Sequence, residues 1–156
     1  MRASANFVVE QLKMLGVAVT RLVTDSRAVQ AGDTFVAYPG EKLDGRQFIA
    51  QAIAQGANAV IWEAQHFVWN AEWKVPNLAV SNLRDTAGWI ANEVYGVPSQ
   101  KLQMIGITGT NGKTSTAHWI AQALNAAKKS CALIGTLGNG FFAGLQPSAN
   151  STPDAI

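Results

Sequence analysis

The stretch MIGITGTNGKTST at residues 104–116 constrains this chain more than any other part of it. An apolar run enters a glycine-rich turn, and a helical pattern leaves it. Ala117, Ile120, Ala121, Leu124 and Ala127 fall on one helical face, and Lys128 and Lys129 follow where a helix dipole favours cations. Strand, glycine loop and helix in that order form the context of a phosphate-binding loop. The glycines let the backbone close around phosphate oxygens, so that successive N–H groups and the helix N-terminus point at the anion. In such a loop Lys113 reaches the β- and γ-phosphates of a nucleotide, and the Thr114 hydroxyl ligates magnesium. The spacing departs from the general P-loop, which asks for glycine five positions before Gly112; Ile107 stands there, flanked by Gly106 and Gly109.

The remaining chain alternates short apolar runs with helical patterns: LVT near residue 22, TFVAY from 34, AVIW from 59, LAV from 78, MIGIT from 104 and CALIG from 131. This alternation predicts an α/β fold. Leu83, Ala87, Ile90, Ala91 and Val94 recur at helical spacing, with Asn82 placed as the N-cap and Asp85 as a first-turn acid. Between that helix and the next run, GVPSQK at residues 96–101 has the composition of a linker. The expected organisation is one α/β domain over residues 1–98 and the opening of a second over residues 99–156.

Hydrophobic residues make up 48% of the chain and charged residues 14%, enough to build a core. The net charge of +2 is spread among interspersed acids and bases, which gives no basic stripe for a nucleic-acid backbone. No window approaches the roughly 20 apolar residues that span a bilayer, and Glu10, Gln11 and Lys13 interrupt any signal-peptide core. The expected protein is cytoplasmic and monomeric, with neither a membrane nor a nucleic-acid partner. The single cysteine, Cys131, lies in an apolar run and reads as a small buried hydrophobe. His66 and His118 lack metal-ligand spacing. Phe67, Trp69 and Trp73 lack the interleaved basic residues of a base-stacking surface and are expected to pack a long loop onto the first domain. Trp89 and Trp119 fall within helices and are expected to pack there.

The spelling GITGTNGKTS resembles the ATP loop of the Mur ligase family and its folylpolyglutamate synthetase relatives, written G-T-N-G-K-[ST], which accounts for the unusual spacing. Upstream, TDSR at residues 24–27, GDTFVAYPG and DGRQFIAQAIAQGA resemble the N-terminal uridine-nucleotide domain of the ligases that act on the growing muramoyl peptide; the folate enzymes lack that domain. IGTLGNG at residues 134–140 and NSTPD at 150–154 resemble the family member that adds the third residue, with Ser151 where many relatives carry threonine.

The resemblance implies an ATP- and Mg2+-dependent amide ligase of cell-wall precursor synthesis, joining meso-diaminopimelate or lysine to UDP-MurNAc-L-Ala-D-Glu. It implies that Gly109, Thr110, Asn111, Gly112, Lys113, Thr114 and Ser115 hold ATP, with Lys113 catalytic and Thr114 on the metal. It implies that Thr24, Ser26, Glu41, Lys42 and Leu43 meet the uridine or its diphosphate, and that Asn150, Ser151 and Thr152 hold the diphosphate and muramoyl portion. From the residues alone, Asp25 and Ser26 equally fit the cap of a turn, and residues 150–152 a surface turn. The family's acidic magnesium ligand, modified lysine and amino-acid domain are not in these residues, so the chain is expected to be the front of a longer ligase. Two other readings stay open: a noncatalytic nucleotide-sugar module, and the neighbouring ligase that adds the terminal dipeptide.

Overall fold

The structure is a computed structural model that describes residues 5–41, 43–147 and 156. It contains two compact units, the first running to Leu102 and the second starting at Gln103.

In the first unit, β1 (Leu22–Val23), β2 (Thr34–Ala37), β3 (Ala59–Glu63) and β4 (Asn77–Val80) form one parallel sheet in sequential order. Phe35 pairs with Val23 on one side and Val60 on the other, and Ile61 with Val36 and Leu78. Every residue of β1, β2 and β3 is buried, because a parallel sheet is covered on both faces. Side chains alternate between those faces. Val36 and Ile61 join Leu22 and Val80 in a cluster with Val8 and Leu12 of α1 (Ala5–Met14) and with Leu83 and Ile90 of α3 (Leu83–Val94). Phe35, Ala37, Val60 and Trp62 face the opposite cluster, built on Ile49 and Ala52 of α2 (Ile49–Ala54).

The β3–β4 connection carries no helix. Its place over the second face is taken by Phe67, Trp69 and Trp73, as the sequence led us to expect: Trp69 stacks on Trp62 at 5.7 Å and meets Trp73 edge-on at 4.9 Å. Two other aromatic expectations fail. Trp89 and Trp119 are 68% and 69% exposed, because each lies on the side of its helix away from the buried stripe.

The stripe expected for α3 is present: Leu83, Ala87, Ile90 and Ala91 are buried. Its cap differs from expectation. Asn82 adopts a left-handed conformation (φ 56°) and its side chain caps nothing. The carboxylate of Glu63, at the end of β3, takes that role: Oε2 accepts the Leu83 N–H at 2.7 Å and Oε1 the Gln65 N–H at 3.1 Å.

In the second unit, α4 (Lys113–Ala126) is 14 residues long, and β5 (Ala132–Gly135) pairs antiparallel with β6 (Gly138–Phe141) across Thr136 and Leu137. Residues 103–109, where the sequence predicts a strand, make no ladder; a strand exists only through a partner, and none is present among the described residues. Met104, Ile105, Ile134 and Phe141 are exposed, and within α4 only Ala121 is fully buried. Cys131 is half-buried rather than buried, its thiol 3.6 Å from the Ala132 carbonyl.

Candidate functional site

The glycine loop of the second unit has the conformation its residues require. Gly109 (φ 148°) and Gly112 (φ 75°) occupy backbone regions that side chains disfavour, and Gly112 is the residue from which α4 starts. Only from Thr116 onward do N–H groups find a carbonyl, that of Gly112 at 2.9 Å. The N–H groups of residues 109–115 have no acceptor among the described residues. They leave a row of donors at a helix N-terminus, the arrangement that holds phosphate oxygens. Lys113, the first residue of α4, folds its ammonium back to donate to the carbonyls of Gly109 and Thr110. Thr114 is half-buried one position on, and Thr110, Asn111 and Ser115 are exposed. The loop therefore fits a nucleotide phosphate in backbone, donors and charge. Among the described residues no group of three or more His, Cys, Asp or Glu is placed to hold a metal, so the metal-ligating expectation rests on Thr114 alone.

In the first unit the remaining candidates follow the carboxyl ends of the strands, where open parallel sheets bind ligands. Thr24 follows β1 and is half-buried. Ser26–Ala28 form a 3₁₀ turn capped by the Asp25 side chain, so of the two residues that fit a turn cap Asp25 fills it and Ser26 lies inside the turn. Ser26 is 5% exposed, and its hydroxyl donates to Oε1 of Gln51 at 3.1 Å. Arg27 forks onto Asp25 and is 82% exposed. After β2, Glu41 is exposed and pairs with Arg84 at 3.3 Å, and Leu43 is exposed. Lys42, Asn150, Ser151 and Thr152 lie outside the described residues.

An open cleft of about 280 Å³ lies along this edge, lined by Pro39, Arg46, Glu63, His66, Asn82 and Arg84. None of these was a candidate site residue from the sequence, which read Asn82 as a helix cap and His66 as lacking metal-ligand spacing. The available signal was a repeated spacing: Asp44-Gly45-Arg46 copies Asp25-Ser26-Arg27, and both aspartates cap a 3₁₀ turn, accept the N–H two residues on and take the same arginine's guanidinium. Gly45 is obligatory in its copy, since a Cβ there would stand 2.9 Å from the Tyr38 carbonyl oxygen.

The guanidinium of Arg46 holds the Asp44 carboxyl below the usual carboxylate range, through the side-chain hydrogen bonds first and against the opposing effect of burial. The folded-state value is depressed, so the stabilisation is complete above the unfolded-state value near 4 and is lost as pH falls through the folded-state value. Asp44→Asn is therefore expected to lower stability at neutral pH by about 1–2 kcal/mol and to flatten the acid limb of the stability profile. Urea unfolding of both proteins between pH 2 and pH 7 measures this; parallel acid limbs would remove Asp44 as its source.

Comparison with known proteins agrees with this geometry. The chain matches the Mur ligase family catalytic domain over residues 18–95 and the Mur ligase middle domain over residues 107–156. This chain belongs to the Mur ligase family. It is 56% identical over 145 residues to the UDP-N-acetylmuramoyl-L-alanyl-D-glutamate–2,6-diaminopimelate ligase of Nitrosomonas europaea, covering 93% of this chain and 28% of that protein. The enzyme of the same name from Chromobacterium violaceum is 52% identical over 146 residues, covering 93% of this chain and 30% of that one. A solved structure of a ligase of that name superposes with a TM-score of 0.62 at 32% identity, covering 88% of this chain and 27% of its own. The MurF ligase of Thermotoga maritima in complex with ADP superposes with a TM-score of 0.53 at 32% identity, covering 72% of this chain and 24% of its own. The Mur ligase chain described here thus spans less than a third of the length of the curated relatives it matches.

Proposed function

We propose that this chain supplies the nucleotide-sugar and ATP-phosphate sites of a cytoplasmic, monomeric ligase that joins 2,6-diaminopimelate to UDP-MurNAc-L-Ala-D-Glu. The observation that carries the reading is the loop at residues 109–115, with its N–H row free of acceptors among the described residues and Lys113 held at its mouth. The names of the relatives that match 93% of the chain support diaminopimelate over lysine. The choice of the third-residue enzyme over the dipeptide-adding one is supported by broader coverage of this chain, 88% against 69% for the MurF of Acinetobacter baumannii.

In this reading residues 1–98 bind the uridine nucleotide through Thr24, Ser26 and the loop Glu41–Leu43, and residues 99–156 open the ATP domain. Asn150, Ser151 and Thr152 hold the diphosphate and muramoyl portion of the substrate. ATP supplies the phosphoryl group that activates the D-glutamate carboxylate as an acyl phosphate, which the diamino acid's amine then attacks. The loop N–H groups and Lys113 orient that phosphoryl group and offset its negative charge, and Thr114 would hold Mg2+. Among the described residues no helix is long and apolar enough to cross a membrane, and the net charge of +2 supports the absence of a nucleic-acid partner.

The test is a ligase of the relatives' length in which these residues replace the matching front of the Nitrosomonas europaea enzyme. Phosphate release is expected to require ATP, magnesium, UDP-MurNAc-L-Ala-D-Glu and diaminopimelate together, and not to occur with a carrier that already bears a third residue. UDP binding without any release would replace the ligase reading by that of a noncatalytic nucleotide-sugar module.

A further inference from the structure

Arg46 is 8% exposed although it lies at the rim of the sheet. Its Nε lies 3.0 Å from Asp44 Oδ1, and its Nη2 lies 2.7 Å from Oδ2. Its Nη1 donates to the carbonyl of Glu63 at 3.2 Å and to that of Gln65, and the guanidinium carbon stands 5.0 Å from the centre of the Phe67 ring. A planar fork with donors on two sides can bridge two anchors in this way, which a lysine ammonium cannot.

The two anchors differ in kind. Glu63 ends β3 and caps α3, so its carbonyl belongs to the rigid sheet. Asp44 is the stem of the loop that follows β2: it bridges Pro39, the Gly45 N–H donates to the Tyr38 carbonyl at 3.0 Å, and the Gly40 N–H closes the loop on the Leu43 carbonyl at 2.8 Å. Among the described residues of the loop at 40–43 no side chain is buried: Gly40 carries none, and Glu41 and Leu43 are exposed. Apart from the exposed ion pair of Glu41 with Arg84, its attachment to the sheet runs through Asp44 and Arg46. The related pair Asp25–Arg27 makes the same fork, yet among the described residues Arg27 has no second anchor, so the spacing alone does not create such a tie.

We propose that Arg46 is a positioning residue for substrate binding, tying the loop at residues 40–43 to the end of β3 so that the loop is ordered before the uridine nucleotide arrives. This rests on the reading that the loop meets that nucleotide. A ligand that must order its own loop binds more weakly than one meeting a loop already formed.

The experiment uses the 156-residue chain, with UDP as the probe in calorimetric titration and amide hydrogen exchange read at Gly40 and Gly45. Arg46→Lys keeps the charge and loses the fork. It is expected to weaken UDP binding about tenfold, equivalent to the ordering of one or two side chains, and to speed exchange at Gly40 and Gly45 by a similar factor. Asp44→Asn, which leaves Arg46 on the two carbonyls, serves if the lysine variant does not fold, with the same direction expected. Ile90→Val, buried in α3 in the cluster on the other face of the sheet, lowers stability without touching the loop and is expected to change neither readout. UDP affinity unchanged in both Arg46→Lys and Asp44→Asn, or weakened equally in Ile90→Val, overturns the positioning role alone. No UDP binding by the unsubstituted chain overturns the uridine reading, and the positioning role with it.

Discussion

Lys113→Ala in the ligase-length protein is expected to cut the rate of phosphate release by on the order of 10²–10³-fold, the usual loss when one donor to a developing charge is removed. UDP affinity is expected to stay unchanged. Lys113 is the first residue of α4, and its side chain turns back over the loop to donate to the Gly109 and Thr110 carbonyls. No other lysine or arginine lies in residues 103–127, so its loss leaves that segment without a cation of its own. On the proposed reading the loop's N–H groups remain available to a phosphate, so the expected defect is in the rate of transfer more than in ATP binding. Lys113→Arg keeps the charge on a larger planar group and is expected to rescue little of the rate. A Lys113→Ala protein that releases phosphate within threefold of the unsubstituted rate would remove Lys113 from the transfer step.

The strands of the first unit were legible because a parallel sheet writes itself as unbroken apolar runs: TFVA and AVIWE are buried at every position. The helix α3 was legible for the complementary reason, its 3.6-residue stripe. Failures came where a side chain's partner is far along the chain. Asn82 has the composition of an N-cap, but the acceptor that satisfies Leu83 is Glu63, twenty positions upstream. Residues 103–109 have strand composition but no partner among the described residues, and composition cannot supply one. Trp89 and Trp119 sit within helical patterns, and a pattern alone says which face is buried only if each residue is assigned to it. The conformation of the glycine loop was legible because glycine positions write a backbone directly: Gly109 and Gly112 both adopt positive φ. At the sheet edge, Thr24, Ser26 and Glu41 came from family resemblance. The network beneath them, Arg46 with Asp44 and Glu63, stayed hidden because isolated charged residues in a sequence read as solvent-facing.

Glu63→Ala is expected to lower the stability of the first unit by about 3 kcal/mol, which for a unit of this size moves Tm down by more than about 10 °C. Glu63 is 7% exposed, so its carboxylate is withheld from water and satisfied by protein N–H groups. Its two oxygens serve Gln65 after β3 and Leu83 at the start of α3. Truncation deprives both donors at once and removes a negative charge from the N-terminal end of a 12-residue helix. Glu63→Gln retains one acceptor and is expected to recover about half of the loss. The decisive contrast is with the residue that looks like the cap. Asn82 sits at φ 56° and its side chain caps nothing, so Asn82→Gly is expected to change stability by less than about 0.5 kcal/mol, since glycine adopts that backbone freely. Thermal unfolding of the three variants decides between the two assignments. If Asn82→Gly costs more than Glu63→Ala, the helix is capped locally and the carboxylate is incidental. If the order is the one expected here, the end of β3 and the start of α3 unfold as one piece, and the carboxyl edge of the sheet owes its rigidity to a charge buried between them.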